Sequence, residues 1–428
     1  MLKIIIQVNE RMAKKRIRVG VVGVARGMSF ARGAEFAGMK LVALCDTWEE
    51  RLASASKQLK VAGYADFDQF LEHDMDAVVL ANYFHQHAPF AVKALGAGLH
   101  VMSETGACKT LGEGAALARA VERSGKIYMF AENYAYFAYV QEMRRLYRAG
   151  EIGEVQYAEG EYIHPSHWRE VFARSMGMNH WRHWNPGIYY CTHALSPIIH
   201  VTDTHPVSVN AQSIPRSPAD EQTLTLKRSD PGFVAMIRLD NGAMARIAGL
   251  QLRGHGNWYR FHGTRGLMEN LRGMNQGMLR VVHEPWDRRK GDVGEKIYAP
   301  DFPVHADLAR KAGHGGGDFF TNFHFAEAIC RGEQPFLDVY RGLEMTLVGI
   351  QGWRSCLNNG APFDIPNFRD ENVRKQYEND DWSPFPEDRR PGQPWPSITG
   401  EVTPDEASLA AARKVWAEQG YREEEPVA

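Results

Sequence analysis

The segment from Ile17 to Asp46 constrains the fold of this chain more than any other. It begins with a short apolar run rich in β-branched residues, Ile17 to Val22, which is typical of a buried parallel strand. A turn containing Gly23 and Gly27 follows, then a helical stretch and a second apolar run that ends at Asp46. Strand, glycine turn, helix and strand in this order predict a dinucleotide-binding unit, in which a pyrophosphate lies at the N-terminus of the helix.

The acid that closes this unit predicts which dinucleotide binds. Asp46 follows Gly23 by 23 residues, close to the spacing of about 20 expected for a carboxylate on the ribose hydroxyls. A carboxylate there would repel the 2′-phosphate of NADP, so NAD is expected. The glycine fingerprint is incomplete, because Ala25 and Met28 occupy its second and third positions and Gly27 lies one place early. An ordinary strand–turn–helix is therefore the alternative for this segment alone.

Composition and charge exclude several classes of protein. The 428 residues allow two or three domains, and a net charge of −2 with interspersed signs indicates no nucleic-acid or membrane partner. The five cysteines are scattered and form no CxxC pair, which argues against a disulfide framework or a zinc site. No apolar run reaches the ~18 residues of a transmembrane helix. Residues 1–15 are expected to be an N-terminal leader without a signal-peptide pattern, and the protein is expected to be cytoplasmic.

Apolar runs alternate with helical segments as far as residue 134. This alternation predicts an α/β fold with a parallel sheet, that is, a Rossmann dinucleotide-binding domain over residues 16–134. Ligands bind beyond the carboxyl ends of the strands in such a sheet, so the polar residues after each strand are candidate site residues. The candidates for binding the cofactor are Gly23, Ala25, Arg26, Gly27, Asp46, Asn82, His87, Glu104 and Asn133.

Glu104 is the most informative of these candidates. A carboxylate at the end of a buried strand is costly unless it is hydrogen-bonded or functional. The alternative role, a cap for the helix expected to begin near Thr110, fits the spacing poorly. His85 and His87 could equally be polar residues at the start of a helix.

Residues 135–370 are expected to form a second, α+β domain with an open, mostly antiparallel sheet. A strand is predicted from Val155 to His164, and several strands with turns between residues 207 and 285. Residues 166–200 are dense in aromatic side chains and histidines, which suits a pocket where flat rings stack on a sugar and polar tips bind its hydroxyls. An interface, or a core whose polar tips are all satisfied, is the alternative.

The chain after residue 370 is rich in Pro, Asp and Arg. We expect residues 371–428 to be a C-terminal extension wrapped over the body or over a partner, with a short helix near residues 404–418.

Tyr190 and His193 place a phenol and an imidazole three residues apart, on one face if the segment is helical. Such a pair can accept and relay protons, since histidine titrates near neutrality. Later in the chain, the glycines after His314 would let the backbone approach a ligand, while Asp318 could simply face the dipole of the following helix. No HExxH motif or His/Cys spacing typical of zinc is present, so no metal is expected.

Over roughly residues 16–367 the chain resembles the glucose–fructose oxidoreductase/inositol dehydrogenase/MocA (Gfo/Idh/MocA) family. The resemblance rests on the N-terminal nucleotide fold, the sheet domain and the late Gly-His-Gly-Gly-Gly-Asp segment. Dehydrogenases of that family carry Glu-Lys-Pro where this chain has Glu104-Thr105-Gly106, so the lysine that assists proton transfer there is missing here. Lys109 is near in sequence but is expected to lie elsewhere.

Within the family, the chain is most similar to NAD-dependent glycoside hydrolases resembling bacterial α-N-acetylgalactosaminidase, which also lack the lysine. The matching stretches are Glu132-Asn133-Tyr134, residues 158–164, residues 190–195 and His314-Gly315-Gly316. By that match the catalytic residues would be Tyr190, His193, Glu104, His164 and Tyr162, and the substrate-binding residues Trp181, Arg182 and His314. The cysteine within the 190–195 motif and the sequence of residues 103–107 depart from those hydrolases, which leaves the sugar open.

The mechanism that this resemblance implies involves no net redox change. NAD⁺ oxidises the third carbon of the sugar, the resulting ketone acidifies the neighbouring C–H, the aglycone is eliminated, water adds and the ketone is reduced again. His193 would take the hydroxyl proton and Tyr190 the α-proton, with Glu104 or His164 assisting the leaving group and water.

Two other functions stay open at this point. The first is an NAD-dependent sugar or polyol dehydrogenase with His193 as general base, and the second is a non-catalytic nucleotide-sensing protein. The expected partner is a small-molecule glycoside or sugar. A homo-oligomer formed through the sheet of the second domain is also expected.

Overall fold

The computed structural model describes residues 16–217 and 224–422. The predicted leader over residues 1–15 and the last residues of the predicted extension, 423–428, lie outside the described part of the chain. Within that part, no helix is long and apolar enough to cross a membrane.

The first sheet has six parallel strands in the order β3-β2-β1-β4-β5-β6. Its strands are β1 (Ile17–Val22), β2 (Met39–Cys45), β3 (Ala62–Tyr64), β4 (Ala77–Leu80), β5 (His100–Ser103) and β6 (Tyr128–Phe130). The helices between them are α1 (Gly27–Gly33), α2 (Glu49–Leu59), α3 (Phe67–Leu71), α4 (His87–Gly96) and α5 (Leu111–Ser124). The strand order reverses between β1 and β4, which opens a crevice at their carboxyl ends. This is the expected Rossmann arrangement.

The start of α5 settles one question about Glu104. The cap of that helix is Thr110, whose hydroxyl accepts the N–H of Glu113 at 3.1 Å. Glu104 is therefore not needed as a cap and is available to the crevice. Within the first domain, the sequence did not predict the strand β3 or the helix α3, which have three and five residues. Segments this short show no measurable periodicity.

The second domain is built on a nine-stranded sheet in the order β14-β13-β12-β11-β7-β10-β9-β8-β15. Its strands are β7 (Val155–Ile163), β8 (Pro206–Ile214), β9 (Gly232–Leu239), β10 (Met244–Leu250), β11 (Gly256–Gly263), β12 (Leu267–Asn270), β13 (Leu279–Val282), β14 (Glu295–Tyr298) and β15 (Phe363–Asp364). The pairing is antiparallel except between β7 and β10, which run parallel. The expected open, mostly antiparallel sheet is therefore confirmed.

Helices cover this sheet and connect it to the first domain. They are α6 (Ala138–Arg148), α7 (Trp168–Arg174), α8 (Trp181–Trp184), α9 (Thr192–Thr202), α10 (Ala306–Ala309), α11 (Gly317–Arg331), α12 (Val339–Leu357), α13 (Glu371–Tyr377) and α14 (Glu406–Glu418). α9 lies directly on β7, and Gly160 makes that approach possible. A Cβ at position 160 would lie 2.0 Å from the carbonyl oxygen of Ala194, so any other residue would push the helix away.

The segment after residue 370 wraps over the body of this chain. Arg354 binds the carboxylate of Asp380 at 2.6 Å, and the indole N–H of Trp416 donates to the carbonyl oxygen of Phe172 at 3.1 Å. α14 packs on α7 through a small apolar cluster of its own, made of Phe172, Leu226, Ala412, Val415 and Trp416. The short helix predicted near residues 404–418 corresponds to α14.

Candidate active site

A cavity of about 660 Å³ lies at the carboxyl ends of β1, β2, β4 and β5, facing the second domain. Its lining brings together most of the residues predicted from the sequence. They are Ala25, Arg26, Asp46, Asn82, His87, Glu104, Asn133, Tyr162, His164, Trp181, Arg182, Tyr190, His193 and His314.

Gly23 and Gly27 shape the floor of the cavity without lining it. Gly23 has φ +94°, and a Cβ there would meet the carbonyl oxygen of Ala81 at 2.4 Å. A Cβ on Gly27 would lie 2.7 Å from Val21, so this glycine lets α1 pack closely on β1. Gly27 thus performs the packing role of the last fingerprint glycine although it stands one place early in the sequence.

Asp46 lies at one end of the cavity, where β2 stops. Its carboxylate accepts the backbone N–H of Val24 at 2.7 Å and that of Trp48 at 2.8 Å. The guanidinium of Arg51 lies 3.8 Å from the centre of the Trp48 ring. A carboxylate fixed in this way beside the glycine turn suits the ribose of a dinucleotide.

Unpaired polar atoms near the centre of the cavity test whether NAD fits. Both side-chain atoms of Asn82, the hydroxyl of Thr105 and Oδ1 of Asn133 are buried and have no partner among the described residues. Buried polar groups are normally hydrogen-bonded, so a polar ligand is expected against them. The amide and ribose groups of NAD would satisfy these atoms, and the residues present therefore fit the cofactor.

His87 lines the same region, but backbone groups already face its ring. Nδ1 lies 3.0 Å from the carbonyl oxygen of Gly106, and Nε2 lies 3.3 Å from that of Asn82. Burial lowers the pKa of this imidazole. His87 therefore connects the two loops that border the crevice. Direct binding of the cofactor by His87 stays a prediction.

Arg26 binds Glu104 of its own domain and joins the two domains through Asp318. Its Nε donates to Glu104 at 2.6 Å, and its two terminal nitrogens donate to Asp318 at 2.9 and 2.7 Å. Asp318 also receives His314 Nδ1 at 2.9 Å and Asn133 Nδ2 at 3.0 Å. Burial alone would raise the pKa of Asp318, but the hydrogen bonds from His314 and Arg26 hold it well below its usual range. Asp318 therefore does more than face a helix dipole.

The clearest candidate for acid–base chemistry is a buried pair formed by His193 and Glu132. His193 Nδ1 lies 2.8 Å from Glu132 Oε1 and 2.9 Å from Oε2, and Glu132 is fully buried. Because a carboxylate accepts hydrogen bonds, Nδ1 carries the proton, which leaves Nε2 as the acceptor of this cavity-lining residue. Tyr259 fixes the helix end by donating to the carbonyl oxygen of His193 at 2.8 Å.

From the sequence, Glu132 was named only within a stretch similar to the glycoside hydrolases and was not connected with His193. The two residues are 61 positions apart and lie on opposite sides of the predicted boundary between the two domains. No local pattern signals such a pair.

Tyrosine rings surround His193. The ring of Tyr134 stacks on it at 4.2 Å between centroids, while Tyr162 and Tyr190 meet it edge-on at 4.7 and 5.1 Å. Burial raises the pKa of Tyr162 and Tyr190, and nearby Arg182 acts against that rise in both. Both phenols are therefore protonated at neutral pH, and either can act as a base only after its proton passes to a neighbour.

Trp181 forms an apolar wall next to these rings. It stacks on Phe84 at 5.4 Å and on Tyr190 at 6.3 Å, and the guanidinium of Arg182 lies 4.4 Å from its ring centre. His164 also lines the cavity beside Tyr162, and burial lowers the pKa of its imidazole. A flat apolar wall with polar tips suits a sugar ring.

The structure also places lining residues that the sequence did not single out. Among them are Asn185, Lys227 and, from the segment after residue 370, Tyr421. In contrast, Lys109 does not line this cavity and instead binds Glu387 at 3.0 Å and Asp388 at 2.7 Å. The expectation that Lys109 lies elsewhere is confirmed.

Three protein-family models match consecutive parts of the chain. The model for the oxidoreductase family with an NAD-binding Rossmann fold matches residues 17–132, and that for the GFO/IDH/MocA C-terminal domain matches residues 140–269. The model for the C-terminal domain of glycosyl hydrolase 109 matches residues 248–375. The recognition of an NAD-binding Rossmann domain from the Ile17–Asp46 segment is thereby confirmed.

Similar proteins cover most of the chain at low identity. A glycosyl hydrolase family 109 protein of Solibacter usitatus is 26% identical over 392 residues, which are 82% of this chain and 88% of that protein. Another, from Bacteroides thetaiotaomicron, is 26% identical over 405 residues, covering 82% of this chain and 84% of that one.

Solved structures share the fold. Levoglucosan dehydrogenase in complex with NADH and L-sorbose has a TM-score of 0.69 at 19% identity, covering 82% of this chain and all of that one. An inositol dehydrogenase homologue from Azotobacter vinelandii, complexed with NAD⁺, has a TM-score of 0.66 at 20% identity, with 82% and 97% covered.

Proposed function

Since this chain belongs to the GFO/IDH/MocA oxidoreductase family, whose two domain models together match more than half of it, we propose that it is an NAD-dependent glycoside hydrolase. NAD, when bound, supplies the reversible oxidation of the sugar. The chain's own residues bind the sugar, orient it and move its protons. The similarity of residues 248–375 to glycosyl hydrolase 109 supports this proposal over plain oxidation.

The proposal depends on the absence of one lysine. Position 105 holds threonine where the dehydrogenases of the family hold lysine, and several other groups able to transfer protons lie around the cavity instead. The Glu132–His193 pair, the phenol of Tyr190 and the carboxylate of Glu104 all line or border it. Oxidation of a hydroxyl needs one proton acceptor. Elimination of an aglycone needs further groups, one for the α-proton and one for the leaving oxygen.

The geometry suggests a role for each group. His193 Nε2 takes the proton of the sugar hydroxyl that is oxidised, while Glu132 holds the proton on Nδ1 and stabilises the imidazolium. Tyr190 serves the α-carbon through its phenolic oxygen: its own proton passes to the leaving oxygen, and the phenolate that remains takes the α-proton. Glu104 accepts a hydrogen bond from the water that adds after elimination, since Arg26 already fixes its other side.

An NAD-dependent sugar dehydrogenase is the second candidate, and the Glu132–His193 pair favours it because that pair alone suffices as a general base. One experiment separates the two. Aryl glycosides are incubated with the NAD-loaded protein in D₂O while aglycone and NADH absorbance are followed together.

The proposal predicts that aglycone accumulates without stoichiometric NADH. The released sugar should carry deuterium at its second carbon and keep the original hydrogen at its third. A keto-sugar with matching NADH would instead establish the dehydrogenase. A hydrolysed sugar without solvent label would indicate direct displacement at the anomeric carbon.

A further inference from the structure

We infer that the sugar bound in this cavity carries an anionic group, a carboxylate, sulfate or phosphate, and that Arg182 and Lys227 bind it. This inference rests on the proposed function and names the substrate class of the same site. It starts from two cations that line the cavity. Among residues 16–217 and 224–422, no carboxylate forms an ion pair with either of them.

The two cations belong to neighbouring segments. Arg182 is on α8, and the backbone N–H of Arg228, next to Lys227, donates to the carbonyl oxygen of His183 on the same helix at 2.8 Å. The guanidinium of Arg182 lies 4.4 Å from the ring centre of Trp181. The apolar wall and the two positive charges therefore occupy one side of the cavity.

Other cations in the cavity are accounted for. Arg26 binds Glu104 and Asp318, and Arg174 binds Glu170 at 2.8 Å. Arg51 lies at the far end over Trp48, beside Asp46. Only Arg182 and Lys227 remain without a counter-charge among the lining cations on the second-domain side of the described structure.

The positive charges of Arg182 and Lys227 repel each other. Burial, and then the charge of Arg182, lower the pKa of Lys227 to about 8. Asp230 acts in the other direction, but its carboxylate is occupied by the hydroxyls of Ser213 at 2.7 Å and Ser397 at 2.6 Å. Two like charges in a partly buried site are unfavourable, and a bound anion would offset their repulsion.

The position of the pair excludes the phosphates of the cofactor as the anion. Those phosphates belong at the Gly23 turn and the start of α1, on the first domain. Arg182 instead influences the pKa of Tyr190 and Tyr162, the phenols next to His193.

Asn185 is placed to bind an uncharged hydroxyl group of the sugar. It is 4% exposed, lines the cavity and has a side-chain oxygen without a partner among the described residues. This oxygen can accept a sugar hydroxyl. A hydroxylated ring against Trp181, with its anionic substituent on Arg182 and Lys227, satisfies all of these groups.

The test compares aryl glycosides that share one ring and differ in charge: a neutral hexoside, an N-acetylhexosaminide, a hexuronide, a 6-sulfate and a 6-phosphate. At least one anionic member should exceed the neutral ones in kcat/KM by roughly 10-fold or more, the effect of a charge-assisted hydrogen bond. Arg182→Gln and Lys227→Met should each raise KM for that member by roughly 10- to 100-fold, and should raise KM for the neutral hexoside much less. The member with the lowest KM identifies the anion.

Two variants control for the loss of a positive charge as such. Arg123→Gln and Lys93→Met alter exposed residues of α5 and α4, away from the cavity, and should leave the preference unchanged. If the neutral glycosides are the better substrates, and Arg182→Gln and Lys227→Met affect all glycosides equally, the inference is overturned while the hydrolase stands.

If no glycoside is cleaved, calorimetry can measure whether the NAD-loaded protein binds the free uronate, the sugar sulfate or the sugar phosphate. This measurement tests the anion site without requiring turnover. Binding that Arg182→Gln and Lys227→Met abolish would support the anion site and overturn the hydrolase. Absence of binding would overturn both.

Discussion

The carboxylate of Glu132 decides which nitrogen of His193 is available to a substrate. This fully buried carboxylate accepts a hydrogen bond from the Nδ1–H of His193 at 2.8 Å. The hydrogen bond fixes the tautomer of the imidazole, and the negative charge of Glu132 stabilises a positive charge on the ring. Glu132→Gln should lower turnover roughly 100-fold or more, since a neutral amide stabilises the imidazolium less well. Binding of NAD, measured by fluorescence titration, should change little.

The exposed Glu72 provides the control, as Glu72→Gln removes the same charge from the surface. A Glu132→Gln enzyme with normal turnover and a normal pH profile would mean that the pair serves only to stabilise the fold.

Asp46 is the residue that should discriminate between the two dinucleotides. Asp46→Asn removes the charge that would repel a 2′-phosphate, while the amide oxygen can still accept one of the two backbone N–H groups. The ratio of the Kd values for NADP and NAD should fall by about 10-fold. Asp68→Asn on the surface should leave it unchanged, and an unaltered ratio in Asp46→Asn would assign the ribose contact to another group.

Asp46 and Glu132 show which site residues could be predicted from the sequence and which could not. Asp46 follows a fixed spacing from Gly23 within one supersecondary unit, so its place was predictable. The partner of Glu132, by contrast, comes from a helix of the other domain, and the positions of Asn185 and Lys227 depend on how a loop docks on α8. Contacts of this kind arise from tertiary packing and leave no periodic signal.

At the scale of elements, α9 carries His193 and depends on the glycine below it. Gly160→Ala places a Cβ 2.0 Å from the carbonyl oxygen of Ala194, and a backbone atom can move only with its helix. We expect the free energy of unfolding to fall by about 1–3 kcal/mol, as for other overpacked sites, and turnover to fall as His193 leaves Tyr162.

The matched control is Gly256→Ala in β11, where an added Cβ meets no atom within 4 Å. Urea denaturation and turnover of the two variants check the prediction. Equal behaviour would mean that α9 tolerates displacement from β7.

The short helix α8 makes stability depend on pH through His183. Its Nε2 lies 3.0 Å from the carbonyl oxygen of Ser175, and burial lowers the pKa of the imidazole to about 4. In the unfolded chain the pKa is about 6.5, so between these values the unfolded state binds the proton and stability falls as the pH falls. His183 alone should lower the free energy of unfolding by about 2 kcal/mol between pH 7 and pH 5.

His183→Gln should therefore flatten this pH dependence in urea denaturation, whereas His167→Gln at an exposed position serves as control. An equal loss of stability on acidification in wild type and His183→Gln would show that other groups cause it.

At the scale of the whole molecule, the segment after residue 370 completes the cavity. Trp416 is 1% exposed in the cluster between α14 and α7, and Tyr421, which lines the cavity, has its ring 5.9 Å from that of Trp48. Trp416→Ala should release α14 locally, increase its cleavage by protease and weaken NAD binding severalfold, because one wall near Asp46 is lost.

Lys414→Ala on the exposed face of α14 should have neither effect. If Trp416→Ala binds NAD normally although α14 is cleaved, the segment only stabilises the fold. The sequence predicted that this segment wraps and contains a helix. It did not predict contact with the cavity, because that contact depends on a cluster assembled from three distant segments.

The position of Tyr421 has a consequence for biosynthesis. A chain emerging from the ribosome can pair β1 to β6, and later its second sheet, long before residue 421 is translated. The cofactor cavity nevertheless lacks that wall until α14 has docked on α7. A nascent chain therefore forms its two sheets first and acquires its full affinity for the dinucleotide afterwards, so cofactor loading should follow the translation of residue 421.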